Sequence, residues 1–242
     1  MFLQKDELSK FNFISIKEFL LALFLMLATT IISFLIIPAF LKKSLSVYKD
    51  FFDSHYFGII IFFLSSILSL CIIYYFCCKS KNKSLKDGLF IYLQPKKVIF
   101  ICFLIGILMP IISLPIIFKF TPKEFYAMDL VKTKDGLLYL FTCALFAPVF
   151  EEIFYRGFIF PFFQSKLNSF WALIITALFF GFSHFMNIGN AHILISLFIF
   201  YGFVLTLIRY FTNSLIPPII THFVHNLTLM ISFFIMSKVD FG

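Results

Sequence analysis

The sequence predicts an all-α fold: a polytopic integral membrane helical bundle with about seven to eight transmembrane helices. Hydrophobic residues make up 61% of the chain and charged residues only 13%, whereas a soluble globular domain is roughly half apolar and about a quarter charged. The mean hydropathy is +1.01. The apolar residues also fall into long runs, and about 20 consecutive apolar residues suffice to cross a bilayer.

Seven apolar runs are the predicted spans. The first or the fourth run is long enough to be divided, which would raise the number to eight. Residues 1–136 hold three spans without a diagnostic motif, and residues 137–242 hold nearly all the unusual polar residues. No loop is long enough for a soluble domain, so both parts belong to one membrane domain. The spans lie at about 19–41, 56–78, 98–118, 137–163, 169–186, 191–209 and 215–237.

The net charge of +8 does not indicate a nucleic-acid partner. The lysines cluster in the gaps between apolar runs, where positive flanks face anionic lipid and set the orientation of the helices. The expected partners are therefore the lipid bilayer and a substrate, with no nucleic acid. The chain is predicted to be a multi-pass protein of the cell membrane, and the distribution of Lys and Arg slightly favours a cytoplasmic N-terminus.

Two carboxylates lie deep inside the fourth predicted span, in the stretch APVFEEIFYRGFIF. Ionisable groups at such depth are costly and usually face a protein interior or a wet cavity. Glu152 and Arg156 are spaced i,i+4, so they share a helical face and can neutralise each other. Glu151 points about 100° away and has no cation on its own helix. It needs a partner from another helix, which favours a functional role.

The fifth and seventh predicted spans supply polar residues of the same kind. In the fifth span, Phe180 and His184 lie on one helical face. A lone buried histidine is usually a satisfied core residue, but an unpaired glutamate in the neighbouring span favours function. In the seventh span His222 and Asn226 share a face, which is typical of donors that converge on an oxygen. Asn226 could also join helices through a hydrogen bond worth roughly 1 kcal/mol. His225 is more simply explained as a core residue.

These pieces resemble a known pattern of three motifs on successive helices. Together they are similar to the CAAX protease and bacteriocin-processing family of intramembrane proteases, called CPBP or Abi. The resemblance covers about residues 140 to 230. The motifs are EExxxR (Glu151, Glu152, Arg156), FxxxH (Phe180, His184) and HxxxN (His222, Asn226).

The resemblance implies a polar cavity sunk into the membrane and a role for each motif residue. Glu151 would activate a water that His184 helps to hold. His222 and Asn226 would polarise the scissile carbonyl and stabilise the oxyanion. This agrees with elementary chemistry, because water attack on an amide needs a base near the water and donors aimed at the developing charge. Structural support would come from Glu152, Arg156 and Phe180.

Metal dependence has two candidate answers. Glu151, His184 and His222 could form a three-ligand zinc site with an open position for water, and the family is commonly called a metalloprotease family. The alternative is a water activated by Glu and His alone. We expect the latter, with no required cofactor.

The predicted function is an intramembrane endopeptidase that acts on a membrane-associated peptide or protein. The resemblance adds bacteriocin processing or self-immunity as a setting. One alternative is a non-proteolytic membrane scaffold or regulator that keeps the polar cluster for binding. Another is a proton- or ion-coupled transporter, since buried Glu and His also serve in relays. No repeated halves support the transporter.

Overall fold

A computed structural model describes residues 13–120, 130–185 and 192–238 of the chain. Within these ranges the secondary structure is helical, without a strand, and six helices are long and apolar enough to cross a membrane. The predicted all-α polytopic bundle is confirmed. We number the seven long helices α1 (Ile16–Ser44), α2 (His55–Cys77), α3 (Lys96–Phe120), α4 (Lys134–Lys166), α5 (Ser169–Ser183), α6 (His192–Thr212) and α7 (Ile216–Lys238).

Polar residues fix where several helices begin. Ser15 and Glu18 form a capping box at the start of α1, in which each side chain satisfies a backbone donor of the other residue. Asn168 caps α5 by accepting from the Trp171 backbone at 3.0 Å. Helix α5 has 15 residues and ends at Ser183, before the end predicted for the fifth span. The predicted span runs on to residue 186, which lies outside the described residues.

Helix α4 is not a regular α-helix throughout. Its α-helical part Lys134–Glu152 continues into a π-helical segment, Ile153–Ile159, and ends as the α-helix Phe160–Lys166. A π turn inserts a residue into the helical register, and such turns are frequent at functional sites. Glu151 and Glu152, the last two residues of the α-helical part, therefore stand where the helical geometry changes.

Helix α7 packs against both α3 and α4, and a glycine permits the close approach of α3. A Cβ atom at Gly106 would lie 2.6 Å from the Thr221 carbonyl oxygen and 2.8 Å from Val224 Cβ. The Thr221 hydroxyl also donates to the Cys102 carbonyl at 3.1 Å. Small residues and interhelical hydrogen bonds are the usual means of joining helices in membranes. This contact holds α7 just before His222.

The segment between α2 and α3 is attached to the turn between α6 and α7. The Leu215 backbone N–H donates to the Phe90 carbonyl at 2.9 Å. The Ser214 hydroxyl donates to the Tyr92 carbonyl at 2.6 Å. The guanidinium of Arg209 lies 4.3 Å above the Phe90 ring. The N-terminal helices are thus fastened to the point at which α7 begins.

Candidate active site

Glu152 is fully buried and connects two helices through one oxygen. Its Oε1 accepts a hydrogen bond from Arg156 Nη1 at 2.8 Å and another from His222 Nδ1 at 2.8 Å. The predicted pairing of Glu152 with Arg156 is present. The contact with His222 was not predicted, because the i,i+4 spacing accounts for only one partner of the carboxylate. Glu152 therefore touches a residue of the HxxxN motif directly.

Arg156 is also fully buried, and all of its nitrogens have partners. Besides Glu152, its Nη2 donates to the Gly202 carbonyl at 2.8 Å and its Nε donates to the Thr206 hydroxyl at 3.2 Å. The Phe180 ring lies 4.7 Å from the guanidinium carbon. A planar group with five donors can satisfy three acceptors in fixed directions, which an ammonium group does less well. Arg156 thus holds α4 against α6 and contacts the aromatic residue of the FxxxH motif.

Glu151 has different surroundings from its neighbour. Its side chain is 31% exposed, and its Oε2 lies 3.8 Å from His222 Nε2. That separation is too long for a direct hydrogen bond, and polar groups at such a distance are often bridged by water. Oε2 has no hydrogen-bond partner among the residues that the structure describes. Glu151 therefore has an acceptor oxygen free for a small polar molecule.

His184 follows the last residue of α5, and its ring is held from two sides. Its Nδ1 lies 2.8 Å from the Phe180 carbonyl oxygen, and its ring stacks on Phe198 at 4.4 Å with an interplanar angle of 13°. A carbonyl oxygen only accepts, so Nδ1 carries the proton and Nε2 of the neutral ring keeps a lone pair. The Phe180 backbone therefore fixes His184 as an acceptor at Nε2.

The same reasoning applies to His222. Its Nδ1 donates to Glu152, an acceptor that also receives Arg156, so the neutral ring has only a lone pair at Nε2. In that state His222 can accept a hydrogen bond but cannot stabilise an oxyanion. The donor role implied by the family resemblance requires a ring protonated on both nitrogens. The amide of Asn226 can donate without any such change.

The four residues predicted to be catalytic line one cavity of about 50 Å³. They come from three helical segments: Glu151 from α4, His184 from the end of α5, and both His222 and Asn226 from α7. A water molecule needs roughly 10–15 Å³ of such space and two to four polar partners. The cavity therefore has room and partners for water. Its remaining wall is formed by His225 and apolar or aromatic residues, among them Met109, Phe180, Phe198, Tyr201 and Leu205.

The arrangement does not form a metal-binding cluster. No three His, Cys, Asp or Glu side chains within residues 13–120, 130–185 and 192–238 are grouped so that they could share a metal ion. His184 and His222 use Nδ1 for protein acceptors, which leaves Nε2 of each ring available as a ligand, as is usual for metal-binding histidines. Glu151 Oε2 stands 3.8 Å from His222 Nε2. As placed, Glu151, His184 and His222 are not grouped around a common position for an ion.

Some neighbours of the site could not have been found by sequence patterns. Tyr201 hydrogen-bonds with Ser113 on α3, and its ring packs on His225 at 4.4 Å. Thr206 and the Gly202 carbonyl bind Arg156. These contacts depend on the rotation of α6 about its axis. An apolar helix with scattered small or hydroxyl residues carries no signal for that rotation.

Comparison with known protein families gives a match to part of the chain. Residues 133–228 match the model for the Rce1-like family of type II CAAX prenyl endopeptidases. Neither the curated proteins nor the solved structures yield a significant match. The matched segment contains all three motifs and indicates a CAAX-type protease. It confirms the resemblance that the seven motif residues carry, because it is consistent with a CPBP family protease.

Proposed function

We propose that the protein is an intramembrane endopeptidase, which hydrolyses a peptide bond of a membrane-associated peptide or protein. One observation supports this most strongly: Glu151, His184, His222 and Asn226 line a single cavity within a bundle of apolar helices. Their combination of acceptors and an amide donor is what water attack on a carbonyl requires. The family match is consistent with this chemistry.

In the proposed reaction, a water lies between the Glu151 carboxylate and Nε2 of His184. Both groups accept, so the water donates its two protons to them and presents a lone pair to the scissile carbonyl carbon. Glu151 takes one proton as the carbon–oxygen bond forms. The negative charge moves to the carbonyl oxygen, where the Asn226 amide donates to it. When the intermediate collapses, the carbon–nitrogen bond breaks and Glu151 returns its proton to the leaving amine.

Two further side chains prepare this site without entering the proton transfer. Glu152 holds Nδ1 of His222 and so determines which nitrogen of that ring faces Glu151. A second proton on His222 would turn Nε2 into another donor for the oxyanion, next to the Asn226 amide. Arg156 holds Glu152 in place by sharing the same oxygen. For the biological setting we propose bacteriocin processing or self-immunity, on the family resemblance alone.

The proposal is tested with purified protein and a library of apolar peptides, in which wild type is compared with Glu151→Gln. General acid–base catalysis contributes about 10²–10⁴-fold, so we expect Glu151→Gln to lose at least two orders of magnitude in rate. The thermal transition of the purified variant should stay close to that of wild type, because Glu151 has no hydrogen-bond partner at Oε2 to lose. Equal cleavage by both proteins would refute the assignment of Glu151, and no cleavage by either would refute the proteolytic function.

A further inference from the structure

A second, larger cavity adjoins Glu151 on the side facing the N-terminal helices. It has a volume of about 500 Å³ and lies between α1, α2 and α4. Pockets for small ligands usually measure roughly 300–1,000 Å³. Leu27, on its wall, is 59% exposed on the outer surface of α1, so the cavity reaches the surface that the bilayer surrounds. Glu151 lines both this cavity and the small one.

Three serines of α2 line this cavity: Ser65, Ser66 and Ser69. They lie 10–14 residues into the helix, so about 15–21 Å along it at 1.5 Å per residue. Ser65 is 7% exposed, and the other two are half-buried. The three hydroxyls therefore stand at membrane depth, on the side of α2 that faces Glu151.

These serines differ from most hydroxyl residues in the helices. Elsewhere the side chain commonly donates to a carbonyl one turn earlier in its own helix, which is the usual way to satisfy it. None of the three α2 serines makes a side-chain hydrogen bond to any residue of the described ranges, although Thr30 on the opposite wall does. The residues bonded in this way include Thr30, Thr142, Thr176, Thr206, Thr228 and Ser232.

The chemistry of these hydroxyls indicates what the cavity accepts. Inside a bilayer there is no water to satisfy polar groups, so an unwound peptide must find hydrogen-bond partners in the protein. A hydroxyl can donate to a peptide carbonyl and accept from a peptide N–H. A hydrocarbon chain of the same size would leave such hydroxyls without partners, at a cost in binding. The free hydroxyls therefore favour a peptide backbone over a purely apolar chain.

We infer that this cavity binds an extended apolar stretch of the substrate's own polypeptide. The backbone of the stretch hydrogen-bonds to Ser65, Ser66 and Ser69, and its side chains fill the apolar remainder. The inference rests on the proposed proteolytic function and adds a substrate class to it. Because Glu151 lines the same cavity, a peptide held there has a bond next to the residue that activates water. Such a substrate needs no attached lipid for recognition.

The first test measures binding to the protein in detergent, independently of cleavage. The probe is a seven-residue peptide of alternating Leu and Ala with blocked ends and an environment-sensitive fluorophore. A second probe replaces alternate backbone amides by esters, which keeps the shape but removes N–H donors and weakens carbonyl acceptors. We expect wild type to bind the amide probe with a Kd on the order of tenfold lower than that of the ester probe, because the ester loses a few hydrogen bonds. In the triple variant S65A/S66A/S69A this preference should disappear.

The control variant is Ser80→Ala, just beyond the end of the same helix. Its hydroxyl donates to the Phe76 carbonyl at 3.0 Å and does not line the cavity, so the preference for amide over ester should remain. A third probe, N-acetyl-S-farnesylcysteine, should bind the triple variant as well as wild type. An unchanged amide preference in the triple variant would overturn the inference. So would a farnesyl probe that alone binds and excludes the peptide.

Cleavage of the amide probe is measured in parallel to separate this inference from the proposed function. If wild type and the triple variant cleave the amide probe equally, the inferred peptide-binding role of the cavity is overturned. The proposed proteolytic function is then still supported. Serine-dependent binding without cleavage of any peptide would overturn the proteolytic function and support the binding site. Serine-dependent binding and cleavage together would support both. The thermal transition of the triple variant should match that of wild type, which separates a binding effect from unfolding.

Discussion

Glu151 and Glu152 are consecutive residues, yet they have different surroundings because each residue turns an α-helix by about 100°. Glu152 faces Arg156 and His222 and has no exposure, whereas Glu151 is 31% exposed and lines two cavities. Oε1 of Glu152 has two strong donors, whereas Glu151 makes no direct hydrogen bond, and Oε2 of each carboxylate has no partner among the described residues. This difference is the physical basis for giving them separate roles.

Loss of the charge on Glu152 should reduce folding or expression more than it reduces the rate of the catalytic step. Glu152→Gln leaves the buried guanidinium of Arg156 without its counter-charge, and breaking a buried pair in this way typically costs about 3–5 kcal/mol. We expect a low yield of folded protein and a lower thermal transition, measured on detergent-purified samples. A stable, fully folded but inactive Glu152→Gln protein, together with an active Glu151→Gln protein, would contradict this and would exchange the roles of the two glutamates.

A double variant separates the structural contribution of Glu152 from its contact with His222. Replacing both charges, as in Glu152→Leu with Arg156→Leu, removes the uncompensated charge and should recover much of the lost stability. Activity should stay low, because His222 Nδ1 would have lost its acceptor. Recovery of activity together with stability would show that the contact with His222 is unimportant for the reaction.

Asn226 lines the small cavity, and its side-chain amide can donate a hydrogen bond without a change of protonation. Removing a single oxyanion donor typically lowers kcat by about 10²–10³-fold. Asn226→Leu keeps a similar volume, so we expect that loss in kcat with KM changed little. Steady-state kinetics on any cleaved peptide would check it. An effect confined to KM would assign Asn226 to substrate binding instead.

The sequence was sufficient to select the motif residues by type and spacing, and the structure gathers the four predicted catalytic residues around one cavity. Their catalytic roles stay predictions. The Glu152–His222 contact was missed, because neither helix contains information about how α4 and α7 face each other. The hydroxyls of α2 were missed for a related reason, since serines in an apolar helix are usually bonded to their own backbone.

At the level of single helices, hydropathy predicted all seven elements but not their internal geometry. The long helix α4 was predicted as one span at 137–163, and the structure shows an uninterrupted helix over Lys134–Lys166. The π-helical segment Ile153–Ile159 within it had no signature. A shift from i+4 to i+5 bonding depends on packing by neighbouring helices, which apolar composition alone does not encode.

The contact between α3 and α7 gives a test at this scale. In Gly106→Ala the new methyl group would meet the Thr221 carbonyl at 2.6 Å, so the helices must separate. Overpacking of this kind costs about 1–3 kcal/mol, and it would displace the neighbouring His222. We expect a lower thermal transition and reduced activity.

Gly58→Ala is the matched control for this substitution. A methyl group at Gly58 would meet its nearest neighbour, Tyr139, at 3.6 Å, an ordinary contact distance. Because alanine favours a helix over glycine by about 1 kcal/mol, this variant should be as stable as wild type or more so. Equal behaviour of the two variants would show that the approach of α3 to α7 does not limit stability.

For the whole molecule, composition was enough to establish a polytopic helical membrane protein, because 61% hydrophobic residues cannot be accommodated otherwise. The division into residues 1–136 and 137–242 stays a prediction, as does the cytoplasmic N-terminus. Orientation depends on a small excess of positive charge in the loops. The packing of the helices against one another is the same for either orientation of the bundle in the membrane.

Whether activity depends on a metal ion can be measured on the purified protein. We predict full activity after treatment with a membrane-permeant chelator, once elemental analysis confirms that zinc has been removed. The physical reason is that Glu151 and Nε2 of His184 are acceptors that can orient a water unaided. Activity that is lost on chelation and restored by stoichiometric Zn²⁺ would contradict this prediction, since bound zinc would lower the pKa of its water towards about 7.

The pairing of Glu152 with Arg156 on one helix also bears on biosynthesis. Helix α4 leaves the ribosome before α6 and α7 exist, so neither Gly202 nor His222 can assist its insertion. A charged residue at the centre of a nascent span costs the translocon about 2.5–3.5 kcal/mol. Because the two charges lie one turn apart, they can cancel within the emerging segment itself. Helix α4 can thus insert into the bilayer before α6 and α7 are synthesised. Its remaining hydrogen bonds form when those helices have been inserted.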